Sequence, residues 1–418
     1  MTERPFRPTA SALAALTVAL AASSAALAAG AKARITRVDG SVVEASSIRV
    51  DRGSPDLAAR AADREVKLPL DSIVAIQFPA RPRKDAGDPG ALTLEFLNGD
   101  VVSGLPAGGE AEAIEVVSAL LGRKRFSVDI LKRLLVPSNL DRRDRPSHFA
   151  RAGNEDVAWV KVSRGRDVVT GTLARFGRDR LSIDTGPPLG TVSFSYAELV
   201  ALTLVVTSPP PEAKDERVKA VIFGADGSRL TGTLRSISEE GADLEWALGG
   251  EFRVPLDRIE SIGFESPRFD YVSDLDPFRA VEYPYVGDLG DVLFHWQRDR
   301  SVDGNRISLA DAIYPKGLGV HSYCELVYDL GGRYSLFSSD LGIDDEVRGI
   351  EARGSVVFRV IVDGAVAFES PVVRGGDPVL RIPAIDLKGK RELKLVVDFA
   401  DSSDAGDRAD WAGAFLAR

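Results

Sequence analysis

The chain is 418 residues long, with 44% hydrophobic and 28% charged side chains; that composition builds packed globular domains, roughly two to four of them, and excludes wholesale disorder. Its 53 basic and 62 acidic residues leave a net charge of -9, so the long-range field repels nucleic acid. The one cysteine, Cys324, excludes an intramolecular disulfide and, with only His148, His295 and His321 beside it, a zinc cluster.

Arg4 and Arg7 precede an apolar stretch at 13–22 and an A-x-A cleavage pattern at Ala26-Leu27-Ala28. This predicts a signal peptide over 1–28 and export to the periplasm, the cell surface or the medium. The uncharged run 8–31 is also long enough to remain in a bilayer as an anchor. In an exported chain without disulfides, Cys324 reads as a thiol buried in a strand rather than a nucleophile.

Four segments then share one turn chemistry, at 33–79, 91–137, 157–207 and 217–265. Asp39-Gly40, Asn98-Gly99, Arg166-Asp167 and Asp226-Gly227 each join two short apolar strands, three of them through the dipeptides that supply the positive φ of tight hairpins. The third copy lacks the glycine. Gly104, Gly171 and Gly232 follow inside the next strand, where the absence of a side chain permits a sharp bend. Pro69 and Pro255 cannot donate to a ladder, so each predicts a strand end and a one-turn helix before a last strand. This order resembles small five-stranded SH3-like or Sm-like barrels. Trp159 and Trp246 read as core, and with no aromatic position repeated among the copies the barrels read as a spacer sooner than as an adaptor. The segments 79–90, 141–155 and 208–216 are rich in proline and charge and read as connectors. Arg142, Arg143 and Arg145 read as a solvated face, because Asp141 and Asp144 interleave with them.

From residue 270 the pattern changes to alternating strands. Residues 356–362 alternate strictly, Asp363-Gly364 turns the chain into 365–369, and further strands fall at 380–382, 393–399 and 411–417. No amphipathic helix appears, which predicts a jelly-roll β-sandwich over 270–418 and an all-β chain throughout. Lys316-Gly317-Leu318-Gly319-Val320-His321-Ser322, Phe337-Ser338-Ser339-Asp340-Leu341-Gly342-Ile343-Asp344, Gly354-Ser355-Val356-Val357-Phe358 and Asp410-Trp411-Ala412 occur in order across this region. Together they resemble the NPCBM/NEW2 family. The resemblance implies a galactose-binding-like sandwich, of a kind found beside glycosidases and in large exported bacterial proteins, with carbohydrate, galactose-like or polymeric, as partner.

Sugars are held by an aromatic plate and by groups that exchange hydrogen bonds with hydroxyls, which makes Trp296, His321, Asp344, Asp345 and Trp411 the candidate binding residues. Trp411 has the alternative of sealing the sandwich, and His321 of bonding a neighbouring loop. Asp344, Asp345 and Glu346 form a loop cluster that suits calcium or simply water. No G-x-S-x-G elbow, H-E-x-x-H helix or recognisable carboxylate pair is present. The sequence therefore predicts a non-catalytic, exported carbohydrate-binding protein with the barrels as spacer or adaptor. The alternative is a cell-envelope scaffold that binds envelope proteins instead of sugar.

Overall fold

The computed structural model describes residues 32–418 except 63, 80–89, 142, 143, 145, 150–153, 207–217, 287–293 and 402. The predicted signal peptide and the arginines at 142, 143 and 145 lie outside the described residues. The chain is all-β: its only helical pieces among the described residues are single 3₁₀ turns.

The first part of the molecule is four five-stranded units. In the fourth, Lys219–Gly224 pairs antiparallel with both Arg229–Ile237 and Ile259–Glu265, while Gly241–Trp246 joins Arg229–Ile237 to Glu251–Pro255. The units at 92–135 and 156–203 repeat this order. In the first unit the second strand breaks between Val42–Ala45 and Ser47–Arg49. Pro69 and Pro255 sit at the predicted break, each immediately before a 3₁₀ turn.

One turn differs from the sequence expectation. In the third unit Val162 pairs with Gly165, so the hairpin closes at Ser163-Arg164, and Gly165 carries the positive φ of 91°. The unit has its turn glycine immediately before the Arg166-Asp167 position read from sequence. The strand glycines are explained by close approach: a Cβ on Gly171 falls 2.3 Å from the Asp184 carbonyl oxygen, and one on Gly232 falls 2.1 Å from that of Glu245.

The units pair through their last strands. Ser261 lies opposite Gln77, joining the fourth unit to the first, and Leu134 opposite Leu202, joining the second to the third. The second and fourth meet at Asp100, fully buried, whose carboxylate accepts from Trp246 Nε1 at 2.7 Å, Thr231 N at 2.8 Å and Asn98 Nδ2 at 2.8 Å. Four satisfied acceptor sites, counting the Thr231 hydroxyl, are what allow a carboxylate to stay buried there. Trp246 packs edge-on to Phe96 and Phe126 in this core. Trp159 is half-buried, edge-on to Phe149.

The C-terminal part is two sheets face to face. One runs Gln297–Arg298, Gly317–His321, Arg408–Ala417, Leu336–Ile343 and Leu380–Arg381; the other runs Arg279–Glu282, Cys324–Asp329, Glu392–Phe399, Ser355–Val362 and Ala365–Glu369. Trp411, Phe358 and Phe337 meet between them. Asp363 and Gly364 make the predicted hairpin turn with φ of 47° and 80°. Cys324 is buried, and burial pushes its thiol well above the usual range. The sandwich is joined to the first unit by the Tyr271 hydroxyl on the Val74 carbonyl at 2.7 Å and to the fourth by an Arg306–Glu260 ion pair.

Candidate functional site

One end of the sandwich gathers loops from both sheets. Gly317–His321 ends there, Arg408–Ala417 begins there with Arg408 directly across from His321, and Leu336–Ile343 runs into the 344–349 turn. On the other sheet Arg279–Glu282 ends into Tyr283, Cys324–Asp329 starts after Tyr323, and Glu392–Phe399 ends into the 400–407 loop.

Asp407 ties these loops together. Its buried carboxylate accepts from Ser322 Oγ and, at 2.7 Å, from Ser355 N, and burial pushes its pKa up to about 6. Asp404 accepts from Tyr285 N at 3.0 Å, bringing the 283–286 segment against the same loop.

The result is an aromatic platform. Tyr283 stacks on Tyr323 with ring centroids 4.4 Å apart and planes 15° from parallel, and Phe399 meets Tyr285 edge-on at 5.1 Å. Tyr283 is 46% exposed and Tyr285 43%. Beside them His321 stacks on Phe294 at 4.9 Å, and the Arg408 guanidinium covers the Phe294 ring at 5.5 Å. His321 Nδ1 is 2.9 Å from the Ser322 carbonyl oxygen, which can only accept, so Nδ1 carries the proton and neutral Nε2 is an acceptor. Burial holds this imidazole below its usual pKa, against the opposing pull of the Ser322 carbonyl and Asp404. Flat apolar faces beside a fixed acceptor, a guanidinium and carboxylates match the two sides of a pyranose.

Of the residues predicted from sequence, the structure brings His321 to this end, with Asp344 and Asp345 in the adjoining 344–349 turn. Trp411 is 1% exposed with Phe358 edge-on at 5.1 Å, so it seals the core and presents no plate. Trp296 is half-buried against the core, and the Arg298 guanidinium lies over its ring at 5.2 Å. The tyrosines went unread in the sequence. Tyr283-Pro284-Tyr285, two aromatics bracketing a proline at a strand end, was the available signal.

The acidic cluster does not fit calcium. Among the described residues no three acidic, histidine or cysteine side chains come together as metal ligands. Asp345 accepts from Asp311 N and Ser308 Oγ at 2.7 Å and from Ala310 N at 3.1 Å, and pairs with Arg348. Glu346 turns to Ser301 Oγ at 2.7 Å and Asn305 Nδ2 at 3.0 Å. Asp344 is buried, accepting from Glu346 N at 2.8 Å and Ser308 N at 2.9 Å. Asp344 and Asp345 are both spent on the 308–311 segment, while Glu346 turns away to Ser301 and Asn305. Beneath them Asp344 lies against Asp410, whose carboxylate has no other hydrogen-bond partner among the described residues; burial pushes Asp344 up to about 6, and burial together with Asp344 pushes Asp410 well above the carboxylate range.

The NPCBM/NEW2 domain family matches residues 270–417. Over 112 residues the chain is 34% identical to a Renibacterium salmoninarum protein named, provisionally, as an endo-alpha-N-acetylgalactosaminidase; the match covers 27% of this chain and 7% of that relative. Among solved structures, CBM51 from Clostridium perfringens GH95 in complex with methyl-galactose is 29% identical, covering 35% of this chain and 99% of that one, with a TM-score of 0.31. The CBM51-2 and INT domains of Clostridium perfringens ZmpB are 35% identical, covering 36% and 31%, with a TM-score of 0.31. Residues 270–417 form an NPCBM/NEW2 domain.

Proposed function

We propose that the protein is exported and binds carbohydrate at the loop end of its C-terminal sandwich, without catalysis, while its first four units act as SH3-like barrels that hold the sandwich in place. The observation that carries this reading is the Tyr283/Tyr285/Tyr323/Phe399 platform, with Tyr283 and Tyr285 exposed, next to His321 and Arg408 within an NPCBM/NEW2 domain. A sugar ring stacks on the tyrosines while a hydroxyl donates to His321 Nε2 and others accept from Arg408. The galactose-like preference expected from the family resemblance belongs to this proposal.

Isothermal titration of the full chain with methyl-galactose, N-acetylgalactosamine, N-acetylglucosamine and glucose tests it. Saturable binding that is lost in His321→Ala and Tyr285→Ala, with unchanged melting, supports the reading. Silence across the panel, or binding indifferent to both substitutions, overturns it and leaves an envelope-protein partner as the alternative.

A further inference from the structure

A cleft of about 1380 Å³ lies where the second unit, the fourth unit and the sandwich meet. It is larger than the roughly 300–1,000 Å³ of an ordinary small-molecule site, so its size suits a length of polymer better than one small ligand. It lies apart from the loop end: its sandwich wall comes from 299–300, Arg306 and 313–316, with none of the platform aromatics.

Its walls are of two kinds. Leu105 and Val117 of the second unit are 40% and 42% exposed, large apolar side chains left open along the cleft. Around them stand guanidinium groups. Arg229 donates to the Gly99 carbonyl, Arg258 to the Ala119 carbonyl at 2.8 Å and Arg300 to the Gly304 carbonyl at 2.9 Å. For Arg258 and Arg300 those neutral carbonyls are the bonded partners, and among the described residues no carboxylate pairs with either. The acids on the same walls are already engaged, Glu95 by Lys132, Asp299 by Lys316 and Asp226 by Ser118 Oγ and Leu120 N, so Arg258 and Arg300 make a local positive site on a chain of net charge -9. Arginine also supplies the planar fork that grips carboxylate or sulfate through two hydrogen bonds.

We propose that this cleft is a second glycan site, which takes an acidic polysaccharide with its sugar faces along Leu105 and Val117 and its carboxylates or sulfates on Arg258 and Arg300. The choice of a polysaccharide over other polyanions rests on the carbohydrate reading above; the cleft itself does not depend on the loop end.

Fluorescence anisotropy of the full chain with labelled polygalacturonate oligomers tests this, with neutral dextran oligomers and a single-stranded oligonucleotide of equal length as comparisons. The expected result is polygalacturonate binding that weakens about tenfold or more from 50 to 300 mM salt, since exposed charge pairs are screened over this range. Arg258→Gln with Arg300→Gln should weaken it at least tenfold. Val117→Asp, at a position already open to water, should do the same by repulsion while leaving melting unchanged. His321→Ala should leave it intact, which separates failure of this site from failure of the loop end. Unchanged affinity in both cleft variants overturns the proposal. So does dextran binding as tightly, and an oligonucleotide binding as tightly overturns the glycan assignment.

Discussion

Arg34, on the first strand of the first unit, places Nη1 2.9 Å from Oδ2 of Asp340 in the sandwich, with both side chains about 5% exposed or less. The Tyr314 hydroxyl donates to the same oxygen at 2.8 Å, and Arg381 donates to Asp340 Oδ1 at 2.9 Å and to the Gly40 carbonyl at 3.1 Å. Burial alone would raise Asp340, but Arg34 and Arg381 hold it below the usual carboxylate range. A single carboxylate thus fastens two domains through three side-chain donors.

Asp340→Ala strands two guanidinium groups at this seam. Breaking a buried pair from one side costs about 3–5 kcal/mol. Urea unfolding of the variant should show that loss, and limited proteolysis should cut between the first unit and the sandwich sooner than in the parent. Because the folded pKa is depressed, the contribution is present above the unfolded value and is lost as pH falls through the folded one. The parent should therefore lose this advantage over the variant only in strong acid.

Trp411→Ala should behave as a core deletion. Removing a buried tryptophan costs about 3–5 kcal/mol, so differential scanning calorimetry should show a large drop in the sandwich transition. Tyr283→Ala should leave melting nearly unchanged and weaken sugar affinity roughly two- to tenfold, the range of an aromatic contact worth about 0.5–1.5 kcal/mol. Sugar affinity lost from Trp411→Ala at full stability would contradict the placement of that ring.

The Asp344 and Asp410 pair sets an opposite pH dependence from Asp340. Their folded pKa values are raised, so the folded state binds more protons and stability falls as pH climbs from about 4, the unfolded value, through about 6 for Asp344. Asp410→Asn removes the titrating group and leaves an amide donor facing Asp344. It should raise stability at pH 7.5 by about 1–3 kcal/mol, the scale of an unsatisfied buried polar group, and flatten the slope in thermal melts between pH 4 and 7.

His321 gives the binding itself a pH limit. Its pKa is lowered, so Nε2 stays an acceptor at neutral pH. Protonation in acid turns it into a donor; affinity for a sugar whose hydroxyl donates there should hold through neutral pH and fall only on the acid side of the ordinary imidazole range. Titrations at pH 7.5 and 5 check this, and equal affinity at both would remove the histidine from the site.

Turn chemistry and proline placement were legible in the sequence, because they act over four residues. Pro69 and Pro255 end strands where they should, and Asp363-Gly364 makes its hairpin. The third unit's turn was misplaced because an Arg164-Gly165 pair lacks the Asp or Asn that marks the others. Trp411 was harder for a physical reason. Alternation tells two strand faces apart, but in Arg408–Ala417 both are buried, one by the opposing sheet and the other partly by the Ile307–Leu309 and Ala312–Tyr314 hairpin against Ala412. The platform joins Tyr283, Tyr323 and Phe399, residues far apart in the chain, so only pairing of their strands reveals it.

The last-strand pairings of first with fourth and second with third unit fix how many copies this array can hold. In an open solenoid each repeat offers a free edge to the next, so copies are gained or lost at either end. Here the outermost members consume one another's edges, and an insertion or deletion of one copy would leave a hydrogen-bonding strand facing water. Truncations meant to isolate a single unit should therefore yield aggregating fragments.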